Sequence, residues 1–93
     1  MSDHFSPEEA LLEEILIETG PIKEIVVHND DVNTFQHVIE SLMDVCGHEL
    51  MQAEQCAHIV HYNGKCSVKR GSFNRLEPMC VALLERGLSA DIN

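Results

Sequence analysis

Apolar residues along this chain fall in blocks, and the spacing within each block indicates the element it builds. "IKEIVVH" (22–28) is a nearly continuous β-branched run, the signature of a buried strand. Phe35, Val38, Ile39, Leu42, Met43, Val45 and Cys46 then recur every three or four positions, which predicts an amphipathic helix. Asn33 fits its N-cap with Gln36 as capping-box partner, and Gly47 is its stop. "ELMQAEQCAHIVHYNG" (49–64) predicts a second helix with Ala53, Cys56, Ala57, Ile59 and Val60 inward, ending before Asn63-Gly64. "KCSVKRG" (65–71) alternates and predicts a second strand. A third helix begins near Ser72 and ends at Gly87, with Pro78 in its first turn or dividing it. "LSADI" adds a short last strand. The order β-α-α-β-α-β, with strands too short and few for a doubly wound sheet, predicts a small α/β sandwich. In it a three-stranded, mainly antiparallel sheet packs against three helices.

Residues 1–20 follow another pattern. They carry six acids (Asp3, Glu8, Glu9, Glu13, Glu14, Glu18), no Lys or Arg, and end at the breaker pair Gly20-Pro21. The division expected is an acidic N-terminal extension over 1–20 and one core domain over 21–93. Ser6, Pro7 and Glu9 have the spacing of a helix start, and Leu11, Leu12, Ile15 and Leu16 form a stripe. So short a helix is marginal alone, and the extension is expected to be flexible or transiently helical.

Composition narrows the partners. Apolar residues make up 44% of the 93, enough for one modest core, and with three Phe, one Tyr and no Trp that core is aliphatic. A net charge of −10 argues against nucleic acid, whose phosphates require clustered Lys and Arg. No run approaches the ~18 apolar residues of a membrane span, and the start "MSDHFSPEE" lacks a secretory pattern. The expectation is a cytoplasmic monomer with its four cysteines reduced.

The polar block Asn29-Asp30-Asp31, between the first strand and the first helix, is larger than a turn requires. One reading is a solvated loop whose Asx side chains satisfy local backbone groups. The other is a cation site, in which two carboxylates and an amide oxygen meet an ammonium and the imidazole of His61 completes the set. Cys56, His58, His61 and Cys66 form a Cys-x-His-x2-His-x4-Cys series that resembles no common structural zinc spacing. A Cys beside a His is a weak nucleophile signal, and the chain has neither a phosphate loop nor a Gly-x-Ser-x-Gly elbow. No catalytic residue, metal or cofactor is expected. His4, His37 and His48 are expected at the surface or its boundary.

Two blocks together carry a family resemblance. "VVHNDDVNTFQHVI" (26–39) resembles the Asn-Asp-Asp-x-Thr-Pro-Met-x-x-Val signature of the ClpS family, and "AEQCAHIVHYNGK" (53–65) resembles its His-Tyr-x-Gly-Lys segment. The resemblance covers about 22–92. It implies a non-enzymatic adaptor that binds the first residue of N-degron substrates and passes them to the N-terminal domain of a Clp-family AAA+ unfoldase. By position, Asn29, Asp30 and His61 would hold the substrate's α-amino group, with Asp31 and Asn33 in support. Phe35, Val38, Ala57, Val60 and Ala90 would line the pocket for a large apolar or aromatic first side chain, with Ile92 as another candidate for the last-strand wall. The chain departs from the family at Phe35 and Ala57, where the family has Met, and at Thr34, where it has Pro. Its third helix, "FNRLEPMCVALLERG", puts Met79 near a family Lys. The acidic extension would be the segment the unfoldase engages. The competing expectation is a domain of similar fold that binds a partner's surface rather than a free terminus.

Overall fold

The computed structural model describes residues 20–93, so the expectations for the N-terminal extension lie outside the described residues. The elements are β1 (Lys23–His28), α1 (Phe35–Cys46), α2 (Leu50–Asn63), β2 (Lys65–Gly71), α3 (Phe73–Glu85) and β3 (Ser89–Ile92). This is the β-α-α-β-α-β sandwich that the periodicities predict. The sheet has the order β2-β1-β3 and is antiparallel throughout. A bulge between Ile25 and Val26 shifts the β1–β2 register.

Alternation along β1 sends Ile25 and Val27 toward the helices, where they join Leu42 of α1, Ala53, Ala57 and Val60 of α2, and Leu76 and Leu83 of α3. Fully burying such an aliphatic side chain contributes about 1.5–3 kcal/mol, so this layer supplies the main driving force for folding. The opposite face of the sheet is polar: the Ser67 hydroxyl donates to Glu24 at 2.6 Å, and His28 Nε2 meets Asp91 Oδ2 at 3.0 Å.

Three features differ from expectation. Thr34, not Asn33, is the N-cap of α1: its Oγ1 accepts from the His37 N–H at 3.1 Å. Both side chains are competent caps, and Asn33 is taken up by contacts described below. Gln36 consequently has no capping-box role and donates to Glu40 at 3.0 Å, one turn on. Pro78 neither opens α3 nor divides it. It is the sixth residue of a continuous helix, on the exposed side, where water can reach the carbonyl its missing N–H leaves unbonded. His48, expected near the surface, is only 6% exposed and its Nε2 lies 2.7 Å from the Val68 carbonyl. A carbonyl only accepts, so Nε2 carries the proton, which leaves the buried Nδ1 as an unpaired acceptor.

Each helix closes on a glycine. Gly47, Gly64 and Gly87 have φ of 70, 93 and 88°, the left-handed region that side chains disfavour. At the end of α3 the closure is a Schellman turn: Gly87 N–H donates to Leu84 O at 2.9 Å and Leu88 N–H to Leu83 O at 3.1 Å. Leu83 and Leu88 are both buried, which supplies the apolar contact such a turn favours.

Candidate functional site

The loop that leaves the centre of the sheet is suspended between two of these glycine turns. On one side the Asn29 N–H donates to Gly64 O at 2.8 Å, at the turn that closes α2. On the other, Asn33 Nδ2 donates to Gly87 O at 2.9 Å, at the turn that closes α3. Between these anchors Asp30 folds the loop on itself. Its Oδ1 accepts from the Val32 and Asn33 N–H groups at 2.9 and 2.8 Å, and its Oδ2 accepts from Asn33 Nδ2 at 2.7 Å. His37 adds a further tie, with Nε2 at 2.8 Å from Arg86 O, and the Arg86 guanidinium reaches Asp44 at 3.1 Å.

Below the loop lies an open hollow of ≈ 30 Å³ lined by Asn29, Asn33, Phe35, Val38, Ala57, Val60 and His61. That is room for a water or two. Val38, Ala57 and Val60 are buried and make an apolar floor. Phe35, the first residue of α1, is 37% exposed at the rim. Its ring centroid lies 5.0 Å from that of His61 and 5.1 Å from that of His58. Tyr62 extends this ring group, edge-on to His61 at 4.8 Å and stacked on His58 at 5.9 Å.

Two parts of the chain therefore meet here as the paired blocks suggested. Asn29, Asn33, Phe35 and Val38 come from the loop and α1, and Ala57, Val60 and His61 from α2. Asp30, Asp31 and Ala90 lie outside the lining. Asp30 sits just behind it in the loop, Asp31 is exposed, and Ala90 pairs with Val27 in the sheet and packs on the core from β3. The sequence marks Gly64 and Gly87 only as helix stops and His58 only as a member of the Cys and His series; its place three positions before His61, on the same side of α2, was the signal that it joins the ring group.

The electrostatics centre on Asp30. The Asn33 N–H against its carboxylate holds it below the ordinary carboxylate range, against the opposing effect of desolvation, with the Asn33 amide, the Val32 N–H and the Ser89 side chain helping. The carboxylate is thus ionised at neutral pH. Burial pushes the Cys46, Cys56 and Cys80 thiols up, and the Cys66 thiol up to about 12 with Cys56 adding to the effect. All four cysteines are free thiols, held in their protonated, poorly nucleophilic form. Among the described residues, no group of three or more His, Cys, Asp or Glu is placed to hold a metal ion, and no helix is long and apolar enough to cross a membrane.

The family described as "ATP-dependent Clp protease adaptor protein ClpS" has a model that matches residues 20–91. No curated protein matches the chain.

Proposed function

The chain belongs to the ClpS family of Clp protease adaptors, and from that premise we propose that the hollow beside Asn29 and His61 receives the first residue of a protein to be degraded. The chain then hands that protein, in the cytoplasm, to the N-terminal domain of a Clp-family AAA+ unfoldase, which engages the acidic extension over 1–20 during delivery. It works as a monomer and performs no chemistry on the substrate itself.

The observation that carries this reading is the meeting of a polar rim and an apolar floor at one small opening. An α-amino group has a pKa of about 7.7–8.0, so it is mostly cationic at neutral pH. The Asn29 carbonyl-type oxygen and a neutral His61 nitrogen can accept from it, and the ionised Asp30 behind them, with Asp31, supplies the negative potential. An acetylated terminus has no such charge. Val38, Ala57 and Val60 then meet the first side chain, and burying a Leu or aromatic group there is worth roughly 1.5–3 kcal/mol. A Lys head in the same place would be left without a partner. At ≈ 30 Å³ the hollow admits such a side chain only when the Phe35 ring swings outward. Phe35 opens α1 and is partly exposed, so that movement costs only its ring contacts with His58 and His61.

Fluorescence anisotropy with a Leu-initiated peptide tests the reading. Binding is expected for the free amine and lost on N-acetylation. Equal binding of both forms would overturn it and favour recognition of a partner's surface.

A further inference from the structure

We propose that Asn33 positions the charge of the site: its amide pins the Asp30 carboxylate to the glycine turn that closes α3. This rests on the reading of the hollow as a seat for an α-amino group.

The orientation of the Asn33 side chain follows from its partners. Asp30 Oδ2 at 2.7 Å and Gly87 O at 2.9 Å are both acceptors, so the nitrogen of the amide faces them and its two hydrogens are committed. Those hydrogens are therefore unavailable to a bound peptide, and a role as direct donor to substrate is closed to Asn33. What it does instead is join two segments 54 positions apart. An Asp here would place a second carboxylate against two acceptors, and an Ala would sever the link.

The other end of the link is firm. Gly87 lies in the Schellman turn, with hydrogen bonds from Gly87 and Leu88 back into α3 and with Leu88 buried beneath it. Arg86, the preceding residue, presents its carbonyl to His37 at 2.8 Å and its guanidinium to Asp44 at 3.1 Å, so the turn is tied to α1 as well. Apart from Asn33, Asp30 has one tie outside the loop, to the Ser89 side chain on β3. Its remaining bonds, to Val32 and Asn33 N–H groups, are local to the loop and would travel with it. The Asn29 N–H fixes the other end of the loop at Gly64 O, and Asn33 is the side chain that ties the Asp30 carboxylate to the turn closing α3.

The experiment has two arms, each on the full chain, with backbone amide spectra confirming that every variant is folded. The first follows the Asp30 carboxyl by NMR through an acid titration without ligand. Asn33→Ala should move its midpoint upward, toward the ordinary carboxylate value, and Gly87→Ala should move it in the same direction by less. The second measures binding of a Leu-initiated peptide. Asn33→Ala should weaken it about tenfold in the otherwise unchanged chain, and by less than about twofold in an Asp30→Ala background. An unchanged Asp30 midpoint in Asn33→Ala overturns the proposal. So does an equal loss of affinity with and without Asp30, which would mean that Asn33 touches the peptide itself. If the unaltered chain binds no free-amine peptide, the α-amino reading fails, and the carboxyl titration alone decides whether Asn33 positions Asp30.

Discussion

Leu83 and Asn33 approach the same glycine turn from opposite sides. Leu83 belongs to the inner face of α3, has no exposed surface, and is held by the shape of its neighbours. A different aliphatic side chain of similar volume would keep that place at modest cost. Asn33 is held by two hydrogen bonds in one plane, and Asp, which matches its size, lacks the donors to make them. The interior thus depends on volume and tolerates a change of identity, while the loop depends on identity and has little volume to lose. Stability and binding should separate along that line.

The largest effect that would sharpen the contrast is Leu83→Ala, which should lower stability by about 2–5 kcal/mol by leaving a cavity. Denaturant melts would show this, and the affinity of the folded fraction for a free-amine peptide should not change. If affinity fell in step with stability, the two regions would not be separable. Next comes His61→Ala, an exposed position at the rim. Peptide affinity should drop by roughly 10- to 100-fold, since hydrogen bonds to charged groups are worth about 1.5–3 kcal/mol. The melting midpoint should move by no more than a few degrees. A large stability loss with intact affinity would reverse the assignment.

Gly64→Ala probes the boundary between the regions, because it puts a methyl group at φ 93° without crowding any neighbour. The expected cost is about 1 kcal/mol from backbone strain alone. A second, smaller loss of affinity should accompany it, since Gly64 O anchors Asn29. The mildest probe is acid. Asp30 sits lower in the folded chain than when unfolded, so its contribution is present above about pH 3.9 and disappears as pH falls through the folded value. Relative to the intrinsic exchange rate at each pH, protection of the Val32 and Asn33 amides should fall over that range before that of the core amides.

The sequence is most legible where a period repeats. The apolar spacing of α1 and α2 and the β-branched run of β1 are local signals, each decided by the exclusion of one face from water. Residues of the two family-like blocks converge at the hollow, Asn29, Asn33, Phe35 and Val38 from one and Ala57, Val60 and His61 from the other, while Asp30, Asp31 and Ala90 stand outside its lining. Contacts between distant residues are where legibility ends. Asn33 and Thr34 are adjacent and equally good caps on paper, and Gly87, far along the chain, decides between them by claiming the Asn33 amide. His48 carries no mark of burial in its neighbours, and its place is set by the Val68 carbonyl on β2. Pro78 shows the converse case, a strong local signal overruled because its helix is held on the other side by Leu76, Cys80 and Leu83.

The strand order has a mechanical consequence. β1 is the first strand of the described chain and also the central one, hydrogen-bonded on both flanks. A pull applied from the leading end would drag β1 lengthwise, loading both ladders in shear together rather than peeling an outer strand one bond at a time. Force applied at that end therefore meets its steepest resistance at the first step.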